Sequence, residues 1–262
     1  MIEFGPVSVD VHDGVATVLV SNGPVNAMSQ TVLDGLLDAT HHIRDQGVSV
    51  RVVVLTGAGR KAFLAGADIA EFDTILSRPD GAEEHSRAAR AVFDAWSHLE
   101  QPIIAAVQAT AAGGGLEVAL ICDLIVADPD ALLGLPEVRL GLIPGGGGTQ
   151  RLPARIGATA AAELMLLGTL VPAERALELG LINRVSSPGH ALGESEEIAQ
   201  RIAGLPWLAV RNIKRALGVH TRVDPSRLDH ERGLFLEVFD SADMREGMAA
   251  FLERRKPSFV HR

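Results

Sequence analysis

Residues 102–128 read PIIAAVQATAAGGGLEVALICDLIVAD. Pro102 opens a continuous apolar run, Ile103 to Val107, of the kind that forms a strand buried on both faces. A loop follows, then Gly113-Gly114-Gly115, and Leu116 to Ile121 reads as a helix leaving that loop. Asp123 to Asp128 is a second strand. Strand, glycine loop, helix and strand in succession specify an α/β core.

The text on either side agrees. Val7 to His12 and Val15 to Ser21 alternate and are joined by Asp13-Gly14, a hairpin signal. Gln30 to Gln46 carries a helical stripe (Val32, Leu33, Leu36, Leu37, Ile43) that Gly47 ends. Val50 to Leu55 is another continuous apolar strand, Thr56 to Asp68 a loop, and Gly81 to Glu100 a helix. Beyond the quoted segment, Leu132 to Leu135 is a short strand and Gly145 to Gly148 a flexible loop. Helices then dominate: Ala158 to Leu167, Ala173 to Leu179, Ala191 to Ala203, Leu208 to Leu217 and Pro225 to Arg255, with Leu181 to Val185 a short strand between them. No Ser/Gly/Pro-rich linker divides the chain. A single domain is expected, with a core over 1–190 and a helical region over 191–262 packed on the core or on a neighbouring chain.

Composition narrows the function classes. Twenty-four basic residues against 33 acidic ones give a net charge of −9, which opposes non-specific attraction to nucleic acid or an anionic membrane. Apolar residues at 47% and charged ones at 22% fit a globular chain and not a disordered one. The one cysteine, Cys122, excludes an internal disulfide and a cysteine-based zinc site, and points to a reducing compartment. The first ten residues hold two acids and no basic stretch, unlike a signal peptide. The longest uncharged apolar run, Ile103 to Leu116, is shorter than the ~18 residues a membrane span requires. A cytoplasmic protein is expected.

Two carboxylates stand out by context. Glu117 follows the triple glycine inside apolar text, and Glu137, twenty residues later, follows Pro136 at the end of another apolar run. Apolar surroundings raise a carboxyl's pKa and suit it to proton exchange near neutral pH. Two such groups facing one pocket can divide acid and base roles. The residues alone favour a helix-start carboxylate at 117, stabilised by the helix dipole, and a solvent-facing loop acid at 137. Gly113 to Gly115 opening a helix presents backbone amides to an anion or a developing oxyanion, and equally permits tight helix–strand packing. Ala65-Gly66-Ala67-Asp68 offers a second exposed amide or an ordinary turn. The dinucleotide, P-loop and nucleophile-elbow patterns are absent, and the nine histidines show no metal spacing.

Taken together, these segments resemble the enoyl-CoA hydratase/isomerase family, also called the crotonase family. The resemblance rests on Val25-Asn26-Ala27-Met28; on Val53 to Gly57 with Phe63 to Ile69; on Pro102 to Val107; and on Gly113-Gly114-Gly115-Leu116-Glu117. It continues through Pro136-Glu137, Gly141 to Gly145, Gly147-Gly148-Thr149-Gln150-Arg151-Leu152, Glu246 to Phe251 and Arg255-Lys256-Pro257, in the family's order. It implies a crotonase-like α/β spiral of repeated β-β-α units with a C-terminal helical trimerisation region, a homotrimer or homohexamer, and an acyl-CoA thioester substrate. By motif position it implies Ala67 and Gly114 as the two amides of an oxyanion hole and Glu117 and Glu137 as catalytic acids. Ala27, Ala65, Asp68, Ile69, Gly145 and Lys256 are implied as substrate-binding positions. No metal and no cofactor beyond the substrate's own coenzyme A is implied.

With both glutamates present the resemblance favours a hydratase, Glu117 activating water and Glu137 protonating the α-carbon. The alternatives within the family are an isomerase or another acyl-CoA lyase or hydrolase; outside catalysis, a scaffold or an RNA-binding relative. The basic residue that the family often carries before its Asn-Ala pair is replaced here by Asn22-Gly23-Pro24-Val25, leaving Arg60, Lys61 or Lys256 to meet the coenzyme A phosphates. The acyl pocket is expected around Glu71 to Ala91, the least family-like text.

Overall fold

The computed structural model describes residues 1–218 and 223–261. Its strands are β1 (Ile2–Phe4), β2 (Val7–His12), β3 (Val15–Val20), β4 (Val52–Gly57), β5 (Ala62–Leu64), β6 (Ile103–Val107), β7 (Thr110–Ala112), β8 (Leu124–Ala127), β9 (Leu132–Gly134), β10 (Val171–Pro172) and β11 (Arg184–Val185). The α-helices are α1 (Gln30–Asp45), α2 (Phe72–Leu76), α3 (Gly81–Ser97), α4 (Gly114–Ile121), α5 (Gly148–Ile156), α6 (Ala158–Leu167), α7 (Ala173–Glu178), α8 (Ala191–Ala203), α9 (Trp207–Leu217), α10 (Pro225–Phe239) and α11 (Ala242–Leu252).

Seven strands form one sheet in the order β1-β2-β3-β4-β6-β8-β11, and four form a second in the order β10-β9-β7-β5. The pairs β3/β4, β4/β6 and β6/β8 are parallel, as are β5/β7 and β7/β9. Each turn of the chain lays one strand in the large sheet and the next in the small one, then leaves through helix: β4 with β5, β6 with β7, β8 with β9. This is the expected succession of β-β-α units followed by a helical C-terminal region.

The continuous apolar strands now have a physical reason. Val53, Leu55, Ile103, Ala105, Val107, Ile125 and Ala127 face a core shared with α1, α3 and α4. The alternate residues Val52, Val54, Ile104, Ala106 and Val126 face a second core against Ala199 and Ala203 of α8. Successive side chains of a strand point to opposite faces, so a strand covered on both sides must be apolar throughout. The hairpin closes with His12 opposite Val15, and Asp13 (φ 50°) and Gly14 (φ 87°) take the two left-handed positions of a type I′ turn.

Several elements differ from the sequence reading. The segment 56–68 holds β5, and the loop before the triple glycine holds β7. Each has three residues, below the length at which alternation can be recognised. The strand expected over Leu181 to Val185 shrinks to β11, with Leu181 and Ile182 buried in the turn that follows α7. The helix expected over Pro225 to Arg255 is two helices. Asp240 ends α10, and the Ser241 hydroxyl accepts a hydrogen bond from the Met244 amide at 3.0 Å to start α11. Both helices close over one end of the core, where Phe239, Met244 and Met248 pack with Phe72, Ile75 and Leu142. In α9, by contrast, Leu208, Ile213 and Leu217 are exposed.

Candidate active site

Asn26 organises the first wall of the site. It sits at φ 51° and is fully buried. Its amide nitrogen donates to the carbonyls of Ala58 (2.9 Å), Ala62 (3.1 Å) and Phe63 (3.2 Å), while its oxygen accepts from the Asn22 amide at 3.0 Å. These bonds fix β5 and the turn Ala65–Asp68 that leaves it. The Gly66 carbonyl accepts from the Met28 amide at 2.7 Å, which lays Ala67 beside Met28. Replacing Asn26 by Ala strands buried carbonyls, so Asn26→Ala is expected to cost about 3 kcal/mol, several penalties of 1–3 kcal/mol being partly relieved by relaxation. Chemical denaturation checks this, and a loss under about 1 kcal/mol would contradict it.

The second wall is the start of α4. Gly113 has φ +57° and ψ −131°, a conformation open to glycine alone among common residues, and it turns the chain from β7 into the helix. Among the described residues neither the Ala67 nor the Gly114 amide donates to a protein acceptor. The two segments lie against each other: a Cβ placed on Gly66 would come 3.4 Å from the Gly114 nitrogen.

Both glutamates border this glycine pair. A Cβ on Gly113 would lie 3.3 Å from Glu137 Oε1, and one on Gly114 would lie 3.8 Å from Glu117 Oε2. Glu117 projects from the first turn of α4 and is 4% exposed. Its Oε1 accepts from the amides of Gly146 and Gly148, each at 2.8 Å. Glu137 begins a 3-10 helix, Glu137–Leu140. It is half-buried as a residue, but both carboxylate oxygens are shielded from solvent and neither has a hydrogen-bond partner among the described residues.

Burial, and then the negative charge of Glu231, raise the Glu117 pKa to about 7 against the pull of its two amide donors. Burial, and then Glu117 itself, push Glu137 well above the ordinary carboxylate range. Glu137 lacks the amide donors that stabilise ionised Glu117, so Glu117 is the first of the two to lose its proton.

The cavity these groups face has a volume of about 380 Å³. Ala65, Ala67, Ile69, Gly114, Gly145 and both glutamates line it, together with Met28, Phe72, Phe93, Leu142 and Phe235. His85, Ser86 and Ala89 contribute from the Glu71 to Ala91 stretch; burial lowers the His85 pKa and favours the neutral ring. Ala27, Asp68 and Lys256 do not reach the wall. The Ala27 carbonyl accepts from Asn22 Nδ2 at 2.7 Å, Asp68 caps the 3-10 helix Ile69–Glu71 by accepting from the Ala70 amide at 3.1 Å, and Lys256 is exposed. A larger groove of about 840 Å³ lies over β2 and β3 beside α8, and it contains no pair of buried acids. Among the described residues no group of three or more His, Cys, Asp or Glu side chains is placed to hold a metal ion, and no helix is long and apolar enough to cross a membrane.

Three participants escaped the sequence reading. Glu231 of α10 is 2% exposed and accepts from the Gly147 amide at 2.6 Å, the Thr149 amide at 3.0 Å and the Thr149 hydroxyl. Arg151 of α5 is 1% exposed and donates from Nη1 to the Gly146 carbonyl at 2.6 Å. Thr149 is the third, through its amide and hydroxyl to Glu231. The signal for Glu231 is its place in an apolar stripe: Leu228, Glu231, Phe235 and Phe239 fall on one face of a helix.

Two shielded acids with raised pKa values thus share one largely apolar cavity with two amides that have no protein acceptor among the described residues. The model of the family described as Enoyl-CoA hydratase/isomerase matches residues 10–262. The chain is 39% identical to a crotonyl-CoA hydratase of Syntrophomonas wolfei over 93% of its length and 94% of that protein's. It is 37% identical to a short-chain-enoyl-CoA hydratase of Clostridium acetobutylicum, with the same coverage of each. The solved structure of carnitinyl-CoA hydratase from Mycobacterium avium superposes with a TM-score of 0.87 at 34% identity, over 98% of this chain and 99% of that one. The chain belongs to the enoyl-CoA hydratase/isomerase family, a family of enzymes.

Proposed function

We propose that the protein is an enoyl-CoA hydratase, adding water across a trans-2-enoyl-CoA to give a 3-hydroxyacyl-CoA. The observation that carries this reading is the pair of buried glutamates with different proton affinities on one cavity. Hydration needs a base for water and an acid for the α-carbon, and the pair can supply both at one pH.

The thioester carbonyl oxygen accepts from the Ala67 and Gly114 amides. Ionised Glu117 takes a proton from water as the oxygen attacks C3, and the electron pair of the double bond moves onto the thioester as an enolate. Preplaced donors stabilise that charge without reorganising. Protonated Glu137 then delivers its proton to C2. The Gly145 amide, on the same wall, helps to hold the water in this reading. Acid, base and oxyanion donors all come from the chain, so the reaction needs no metal or redox cofactor. Arg60, Lys61 and Lys256 are the proposed partners of the coenzyme A phosphates. The exposed Leu208, Ile213 and Leu217 of α9 support self-assembly into a trimer or a dimer of trimers.

The test is loss of the conjugated enoyl-thioester absorbance with crotonyl-CoA and longer trans-2-enoyl-CoAs. Turnover supports the reading and ranks chain lengths. Binding without absorbance loss refutes it, and conversion of 3-enoyl-CoAs in its place would make the enzyme an isomerase. The pH profile adds a second check. The base must be ionised, so kcat/KM for hydration is expected to fall as pH drops through about 7, where Glu117 takes up its proton. A profile flat through that pH would remove Glu117 as the base.

A further inference from the structure

Glu231 is a buried acid for which hydration has no direct use. It lies on the far side of the turn from Glu117, and the two divide its amides: Gly146 and Gly148 donate to Glu117, Gly147 and Thr149 to Glu231. Successive peptide N–H groups thus point to opposite sides, and each carboxylate takes every second one. Gly147 permits this at φ +96°, where a Cβ would collide with the Arg151 guanidinium. Arg151 holds the Gly146 carbonyl from beneath and places a positive charge near both acids.

We propose that Glu231 is a positioning residue for the acid–base pair: from α10 it holds the Gly145–Thr149 turn in the shape that gives Glu117 its two amide partners, and it sets its own negative charge against that of Glu117 across the turn. The charged groups around this assembly are Glu117 on α4, Glu137 on the 3-10 helix, Arg151 on α5, and Arg90 with Asp94 on α3. Asp229, also on α10, is engaged by Arg90 at 2.6 Å. Burial raises the pKa of Glu231 itself, against the pull of its Thr149 and Gly147 donors and of Arg151; once ionised, it acts on Glu117 in the opposite sense to Arg151, the cation favouring the ionised form of Glu117 and the anion its protonated form. Glu231 therefore reaches the reaction through the main chain, while its neighbour on α10, Phe235, lines the cavity directly.

The kinetic arm of the test rests on the hydratase reading; the spectroscopic arm does not. The protonated-carboxyl infrared band of Glu117, assigned by its loss in Glu117→Gln, is titrated in the wild type and in Glu231→Gln. With one negative charge removed, the Glu117 midpoint is expected to move down toward the ordinary carboxylate range, and the acid limb of kcat/KM to move with it. The conservative Glu231→Asp keeps the charge and is expected to hold the midpoint near that of the wild type. In Glu231→Gln, kcat with crotonyl-CoA is expected to fall roughly tenfold, the lower end of the scale known for outer-shell partners of metal ligands, with KM nearly constant. A shifted band without hydration in any variant would keep this inference and refute the hydratase reading. An unmoved band, with losses of activity that merely follow losses of melting temperature, would overturn the inference. Should Glu231→Gln not fold, Thr149→Val is the second variant, since it removes the hydroxyl donor and leaves Glu231 held by the Gly147 and Thr149 amides alone. A fall in kcat at constant KM supports the proposal, and an unchanged kcat overturns it.

Discussion

Glu137→Gln will reduce hydration of crotonyl-CoA by about 10³- to 10⁴-fold, the upper part of the range for general acid catalysis. That loss corresponds to about 4–5.5 kcal/mol of transition-state stabilisation. KM should stay within about twofold, because the lost proton transfer belongs to the transition state and not to binding. The melting temperature should hold or rise. In the wild type both carboxylate oxygens are shielded and without partners among the described residues, and the raised pKa reports the strain of ionising the group there. A neutral amide removes that strain. Unchanged activity would take Glu137 out of the reaction, and a large loss of stability would show that its carboxylate has partners after all.

Glu117→Gln should cost about 10²- to 10⁴-fold in kcat and abolish the acid limb near pH 7. The fold should tolerate it, since the side-chain oxygen of Gln can still accept from the Gly146 and Gly148 amides. Glu117→Ala separates the roles: it removes the acceptor as well as the base and strands two buried donors, for an added loss of about 2–3 kcal/mol in stability. Comparing the two by activity and thermal melts tests the division. Equal stability of the Gln and Ala variants would mean that the turn does not depend on the carboxylate.

The sequence is most legible where one local rule decides the structure. Asp13-Gly14 fixes the hairpin because few other residues accept two left-handed positions in a row. Val52 to Leu55 and Ile103 to Val107 announce strands covered on both faces because burial leaves no room for alternation. The short strands β5, β7 and β10 are not legible, since two or three residues carry no period. The break between α10 and α11 was missed because apolar residues continue on both sides of Asp240 and only the Ser241 cap divides them. Within the site, Glu117 and Glu137 were visible by their apolar neighbours. Glu231 was masked by its own, since Asp229, His230 and Arg232 make its surroundings read as a solvated helix face. Its burial arises only when α10 lies across the turn that opens α5. Lys256, singled out by its motif, is exposed and apart from the cavity wall.

The order in which the cavity's parts occur along the chain has a consequence for biosynthesis. Glu117 and Glu137 leave the ribosome ninety-four or more residues ahead of Glu231, and Phe235 and Phe251, which complete the wall, come later still. Until α10 docks, water reaches the first two acids and they remain ordinary carboxylates, unable to share a proton at neutral pH. A nascent chain can therefore build its sheets while its two acids still behave as ordinary carboxylates. The raised proton affinity of the two acids arrives last, when α10 and the aromatic side chains that follow it close the cavity.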